Sequence, residues 1–227
     1  MSRTSKYNIF IVIPAYNEGA VIKSVIREVK RQGYNHIIVV DDGSSDDTYL
    51  RAKKEGVVAL RHILNRGKGA AVKTGIEAAK ILGANIIVTL DGDGQHDAKD
   101  IPIVLDKIKK KYDVVLGSRF LKKNKIPPFK VVANFLGNFI TWIVYGIWVN
   151  DSQSGFRAYS KRAFSLMDTT HDRYEYDSEI IREIARNELR YIEIPIRVRY
   201  TSYSMNKANR QSFVNGIKTA VRMVISS

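Results

Sequence analysis

Residues 88–97 read VTLDGDGQHD and place Asp91, Asp93 and Asp97 behind an apolar run in a chain of formal net charge +14. Like charges this close repel, and burying a carboxylate without a partner is costly. Asp91 and Asp93 flank Gly92, so a turn there lets the two carboxylates converge. With the Gln95 carbonyl they supply hard oxygen donors suited to Mg2+ or Mn2+, and a site with few protein ligands leaves positions for substrate phosphates. The competing reading is an exposed acidic turn that caps the next helix. An EF-hand does not fit, because no glutamate stands where that loop needs its last ligand. His96 is adjacent, but the aspartates and Gln95 suffice without it. Asp97 reads as a helix cap.

Four further motifs have chemical potential. In DDGSSDD, Asp41 and Asp42 end an apolar run, where a carboxylate commonly accepts hydrogen bonds from a base or ribose. Ser44 or Ser45 is suited to cap the helix that follows. In PAYNE, Pro14 ends a strand, Tyr16 can lie against a base, and Glu18 can accept from that base or simply begin a helix. NRGKG is glycine-rich, basic and opens a helix, so it can approach phosphate. It lacks the GxxxxGK[ST] spacing of a P-loop, and GxGxxG is absent as well, which argues against a dinucleotide dehydrogenase. In GSRF, Arg119 stands at a strand end, where a guanidinium can pair with phosphate or form a surface salt bridge.

The elements that must carry these residues alternate. Apolar runs at 9–13, HIIVVDD, VVALRHI, NIIVTLD and YDVVLGSRF read as strands. VIKSVIREVKRQG, TYLRAKKEG, KGAAVKTGIEAAKILG and IPIVLDKIKKK read as helices, three of them stopped by glycine. This order predicts an α/β fold, a mostly parallel sheet with helices on both faces. Ligands bind beyond the carboxyl ends of such strands, where all five polar motifs fall. In the second half, NDSQSGFRAYS reads as a turn and a short strand, YDSEIIREIARN as a helix and RYIEIPIRVRY as a strand. Amphipathic helices are expected near 129–149 and 209–227.

Bulk composition bounds the rest. The 227 residues fit one domain with a real core, and 44% hydrophobic with 26% charged is ordinary for a folded protein. No linker or repeat divides the chain: 1–120 reads as a nucleotide- and metal-binding half and 121–227 as an acceptor-binding half. The absence of cysteine excludes disulfides, thiolate metal sites and cysteine nucleophiles, and fits a reducing compartment. The N-terminus does not read as a signal peptide, and no run of about 18 apolar residues predicts a membrane span. Lys and Arg number 37 against 23 Asp and Glu. That surplus suggests a polyanionic partner: nucleic acid, anionic membrane or a phosphorylated small molecule. The basic residues are scattered and match no nucleic-acid motif, so nucleic acid is not expected.

Taken in order, VIPAYNE, VVDDGSSDDT, NRGKGAAVKTG, TLDGDGQHD, GSRF, DSQSGFRAY and the helix containing Glu179 resemble the family-2 glycosyltransferases of GT-A fold. The pattern is most similar to the dolichyl- and polyprenyl-phosphate hexose synthases, from about residue 8 to residue 207. The resemblance implies that Pro14, Tyr16, Glu18 and Asp41 line the nucleotide pocket, with Asp42 and Gly69 nearby. It implies that Asp91, Asp93 and Gln95 hold Mg2+ or Mn2+ on the donor diphosphate. Asp93, Arg119 and Lys207 would carry the transfer. Arg119, Lys130 and Asn134 would meet the acceptor phosphate, although the family usually has arginine and serine near the last two positions. Ser154, Gly155, Phe156 and Arg157 match an SGF motif. Thr201 stands where a basic loop residue is usual, with Arg197 and Arg199 close by. Roles for Asp151 and Glu179 are open: Asp151 can orient the acceptor or cap a turn.

The implied reaction is metal-dependent, inverting transfer of a hexose from GDP-mannose or UDP-glucose to dolichyl or polyprenyl phosphate. A lipid monophosphate is already nucleophilic, so the chemistry needs no strong general base. The alternative is a family-2 enzyme acting on a saccharide hydroxyl, which would want Asp151 or Glu179 as base. A non-catalytic basic module binding membrane or nucleic acid is the reading from a different class. Trp142, Trp148 and the basic stretch LKKNKIPPFK predict contact with a membrane surface. The expected location is cytoplasmic, peripheral to the cytoplasmic membrane face, with a membrane-protein partner or a second copy as an additional contact.

Overall fold

The computed structural model describes residues 7–122, 128–173, 175–199 and 203. Lys207, Thr201 and the helix expected near 209–227 lie outside the described residues. Among the described residues, seven strands form one sheet: β1 (Ile9–Ala15), β2 (Ile37–Asp41), β3 (Val58–Arg61), β4 (Ile86–Thr89), β5 (Val114–Ser118), β6 (Arg157–Ser160) and β7 (Tyr191–Pro195). Their order is β3-β2-β1-β4-β6-β5-β7. Neighbours pair in parallel except β6, which runs antiparallel between β4 and β5. This reversal has a consequence for the site. Arg157, where β6 begins, pairs with Thr89 and Leu116 near the ends of β4 and β5. The segment before β6 therefore sits at the carboxyl end of the parallel strands, beside the acidic motif after β4.

The helices are α1 (Ile22–Arg31), α2 (Thr48–Lys54), α3 (Lys68–Ile81), α4 (Ile101–Lys109), α5 (Pro128–Tyr145), α6 (Lys161–Leu166) and α7 (Glu175–Arg186). Strand side chains alternate between two cores, as a pleated sheet covered on both faces requires. Ile11, Ile13, Ile37 and Val39 pack with α1, α2 and α4. Phe10, Val12, Ile38 and Val40 pack with α3, α6 and α7. In α1, Ile22, Val25, Ile26 and Val29 make the buried stripe that i, i+3, i+4, i+7 spacing predicts. Each such side chain contributes roughly 1.5–3 kcal/mol relative to exposure. The predicted α/β sheet with helices on both faces is the observed architecture.

Two local features differ from expectation. Ser44 does not cap α2. Its hydroxyl turns to Asp41, and Asp46 takes the Thr48 N–H at 2.9 Å instead. The short α6 has no periodic signal, and Ser160 starts it by accepting the Ala163 N–H at 3.2 Å. Asp97 caps as expected, accepting the Lys99 N–H at 3.0 Å ahead of α4. Among the described residues, no helix is long and apolar enough to cross a membrane.

Candidate active site

The acidic motif lies where the ends of β1 and β4 meet. The Gly92 N–H donates to the Pro14 carbonyl at 3.2 Å, which ties the turn between the two aspartates to the end of β1. Asp91 is half-buried. Its Oδ1 lies 3.0 Å from Lys68 Nζ and its Oδ2 lies 3.3 Å from His96 Nε2. Burial alone would raise the Asp91 pKa, but Lys68 and His96 outweigh it and hold the carboxyl well below the usual range. Asp93 goes the other way: burial, then the Asp91 charge, push its carboxyl up. Gln95 donates its N–H to Asp93 Oδ1 at 2.9 Å, and its carbonyl accepts the Arg199 N–H at 2.8 Å. His96 is buried, with Nδ1 lacking a hydrogen-bond partner and the ring tilted against Phe156. Among the described residues, no three histidine, cysteine or acidic side chains converge to hold a metal.

The SGF segment closes over this motif. Thr89 donates its hydroxyl to the Gly155 carbonyl at 2.8 Å, and a Cβ on Gly155 would lie 2.3 Å from Asp91 Oδ1. Beneath it, Arg157 is 2% exposed. It donates to the Ser152 carbonyl at 2.7 Å and lies 3.0 Å from Asp177 Oδ1 without an aligned hydrogen bond. Asp177 Oδ2 is 3.4 Å from Lys68 Nζ. A row of alternating charges, Asp91, Lys68, Asp177 and Arg157, therefore runs from the acidic motif to α7. Burial alone would lower the Lys68 pKa; Asp177 and Asp91 outweigh it and hold the ammonium above its ordinary value. Asp177 is invisible to motif spacing. Its only signal is an acid among residues that bury the first turns of α7.

The expected nucleotide pocket is assembled in part. Asp41 is fully buried, and its Oδ1 accepts the Ser44 N–H at 3.2 Å and the Ser44 hydroxyl. Its Oδ2 lies 3.1 Å from Arg61 Nε, out of line for a hydrogen bond. Tyr16, which follows the Ala15 that pairs with Asp41 across β1 and β2, is 37% exposed. Glu18 is buried and its carboxylate accepts the Tyr203 hydroxyl at 2.8 Å. Asp42 is committed elsewhere: it accepts the Arg66 N–H at 3.0 Å and the Gly67 N–H at 2.7 Å, with His62 Nδ1 at 2.7 Å. Asp42 thus shapes the NRGKG loop. Gly69 faces protein, since a Cβ there would meet Tyr176 Cβ at 2.6 Å. The loop packs on 171–173 and Tyr176, and Glu179 holds the start of that segment by accepting the Thr170 N–H at 3.0 Å and the His171 N–H at 2.9 Å. Glu179 also takes Arg182 at 2.8 Å.

At the end of β5, Arg119 is gripped by Asp151. Nε and Nη2 each donate at 2.7 Å, and the Arg119 N–H donates to the same carboxylate at 2.9 Å. Asn134 is buried and donates to the Asn150 carbonyl at 2.7 Å, with its Oδ1 unpartnered. Lys130 falls in the first turn of α5, and its side chain lies outside the described residues. The outer face of α5 is apolar and open: Phe135, Leu136, Phe139, Trp142 and Ile143 are 41–63% exposed. Trp148 joins them, 6.1 Å from Phe135 and 6.3 Å from Trp142 between ring centroids.

The family described as Glycosyl transferase family 2 matches residues 10–167. The chain is 42% identical to an uncharacterised protein of Methanocaldococcus jannaschii, over 99% of this chain and 94% of that protein. It is 38% identical to the UDP-N-acetylglucosamine–dolichyl-phosphate N-acetylglucosaminyltransferase of Methanococcus voltae, over 96% of this chain and 95% of that one. The fold is shared with glucosyl-3-phosphoglycerate synthase of Mycobacterium tuberculosis, solved with Mn2+, UDP and glucosyl-3-phosphoglycerate. The TM-score is 0.67 at 18% identity, covering 95% of this chain and 80% of that one. With an acidic pair at the end of β4 and a family match over most of its length, the chain belongs to the family-2 glycosyltransferases.

Proposed function

We propose that this enzyme transfers a sugar from a nucleoside-diphosphate sugar to the phosphate of dolichyl or another polyprenyl phosphate, at a membrane surface. One observation carries the reading: the Asp91–Asp93 pair and the Arg119 guanidinium stand at the same end of the sheet, suited to two different phosphates. The acceptor phosphate oxygen attacks the anomeric carbon, the bond to the nucleoside diphosphate breaks, and the configuration inverts. No proton has to leave the nucleophile, so no general base is needed. The chain's task is to bring two anions together and orient them.

The acidic pair fits Mg2+ or Mn2+. Burial, and after it the charge of Asp91, push the Asp93 carboxyl up, a cost that a dication between the two carboxylates relieves, and all the donors are hard oxygens. Asp91, Asp93 and Gln95 would hold the ion, with substrate oxygens completing its shell. Bound there, it would supply Lewis-acid stabilisation to the departing diphosphate. Arg61, whose guanidinium lies over the buried Asp41 Oδ2, offers a donor to a base edge, while Tyr16 offers a ring face. Lys207 would add charge to the phosphates. The Methanococcus voltae relative supports putting UDP-N-acetylglucosamine beside UDP-glucose and GDP-mannose as donor. The aromatic outer face of α5 supports docking on a membrane surface, where rings and indoles favour the interface.

A saccharide hydroxyl as acceptor is disfavoured. Its base would be Asp151 or Glu179, and both are committed to arginines and backbone N–H groups. The test is a panel of labelled UDP-N-acetylglucosamine, UDP-glucose and GDP-mannose with dolichyl phosphate and Mn2+. An acid-labile glycolipid from one donor is expected. Turnover on a saccharide with none on the lipid phosphate would overturn the reading.

A further inference from the structure

Arg119 and α5 are joined by a run of hydrogen bonds that the proposed reaction does not use. Asp151 takes the Nε–Nη2 edge of Arg119 and so fixes the direction in which the far end of the guanidinium points. The carboxylate is 1% exposed, and a bidentate charged pair held away from water is both strong and directional. The segment that carries Asp151 is anchored from two sides. Glu193 of β7 accepts the Asn150 N–H at 2.8 Å, the Asn150 amide at 2.7 Å and the Asp151 N–H at 3.3 Å. From α5, Asn138 donates to the Asn150 carbonyl at 2.8 Å and accepts the Ser152 N–H at 3.1 Å and hydroxyl at 2.7 Å. Asn138 is 2% exposed, and its amide would be costly to bury on a largely apolar helix without these partners. The apolar outer stripe of the same helix, Phe135, Phe139 and Trp142, is open.

We propose that Asp151 is the positioning residue for Arg119, and that Asn138 sets Asp151 from α5, so that the seating of that helix determines how the guanidinium is presented to the acceptor phosphate. This rests on the proposed lipid-phosphate acceptor. Asp151 acts through Arg119 and need not touch substrate.

The experiment compares Asp151→Asn, Arg119→Met and the double variant with wild type, in transfer to dolichyl phosphate and in binding of the nucleotide donor. Asp151→Asn should raise the acceptor KM about tenfold while the donor Kd stays within about twofold. In the Arg119→Met background the same change should cost less than about twofold, because its route of action is gone. An equal cost in both backgrounds, or a donor Kd that rises with the acceptor KM, overturns the proposal. A second readout needs no substrate: the Arg119 Nε–H resonance, identified by its loss in Arg119→Met. In Asn138→Ala it should shift and exchange faster with water, and an unmoved resonance overturns the coupling to α5. Absence of any lipid product from wild type would sink the acceptor assignment instead, and the resonance would still decide the coupling.

Discussion

Gly155 leaves room for Asp91: a Cβ on the glycine would stand 2.3 Å from one carboxylate oxygen and 2.6 Å from the other. The SGF segment and the acidic motif are 64 residues apart in sequence, yet they pack directly against each other. Gly155→Ala should therefore act on Asp91 rather than on the fold, because the surrounding hydrogen bond from Thr89 to the Gly155 carbonyl needs no glycine. Displacing a reacting-site group by about 1 Å can cost on the order of a hundredfold in rate. We expect a loss of that order in transfer, with a melting temperature within about 4 °C of wild type, a shift that corresponds to roughly 1–2 kcal/mol for a chain of this size. Full activity in the alanine variant would mean that Asp91 does not need its observed position.

The acidic pair yields a prediction on metal. Chelation should abolish transfer and Mn2+ should restore it. Asp91→Asn keeps the volume but removes the charge, and should weaken Mn2+ binding by at least about tenfold, read from the free-ion signal in electron paramagnetic resonance. The variant also breaks the contacts with Lys68 and His96, so its fold must be checked by circular dichroism. Unchanged Mn2+ affinity in a folded variant would remove Asp91 from the ligand set.

Much of this site was legible in the sequence, and the reasons are physical. Each motif ended an apolar run, and in an alternating α/β chain such ends share one edge of the sheet. What spacing could not show was which charges answer one another. Lys68 opens α3 in a motif read as a phosphate approach, yet its contacts are Asp91 and Asp177. Arg119 stands where GSRF placed it, but its partner comes from residue 151, brought close only because β6 enters the sheet in reverse. Asp42 and Gly69 looked like pocket residues. They shape the NRGKG loop and seat it on 171–173 and Tyr176, a contact between segments about 100 residues apart that no local pattern encodes. Asn134 was expected at the acceptor phosphate, and Asn138 carried no expectation. They lie on the buried face of one continuous α5 and tie it to Asn150.

The 170–171 loop that supports Gly69 depends on a carboxylate, and this makes it pH-sensitive. Burial would raise the Glu179 pKa, but the N–H groups of Thr170 and His171, the Thr170 hydroxyl and the His171 ring outweigh it and hold the carboxyl below its usual value. A depressed folded pKa means that the native state binds fewer protons than the unfolded chain. The stabilisation is complete above the ordinary glutamate value of about 4.3, and is lost as pH falls through the lower folded value. Glu179→Gln removes that dependence. Its melting temperature should be lower than wild type near neutrality, and the gap should narrow on acidification below about pH 4. Parallel melting curves across that range would show that Glu179 does not carry the effect.

The open face of α5 gives the last prediction. Phe135, Phe139, Trp142 and Trp148 form a cluster with neighbouring ring centroids 5.9–6.4 Å apart, and each ring is more than two-fifths exposed. Burying such rings in protein would need a partner; placing them at a lipid interface needs only a bilayer. The formal net charge of +14 adds attraction to anionic lipid, worth about 1 kcal/mol for each basic residue near the surface. The protein should co-float with vesicles containing phosphatidylserine, and less in high salt. Trp142→Ser with Phe139→Ser should cut co-flotation at least about fivefold, while transfer to a short-chain, water-soluble polyprenyl phosphate stays within about twofold of wild type. Equal co-flotation of the double variant would assign the rings to a protein contact, for which a concentration-dependent change in mass is the direct measurement.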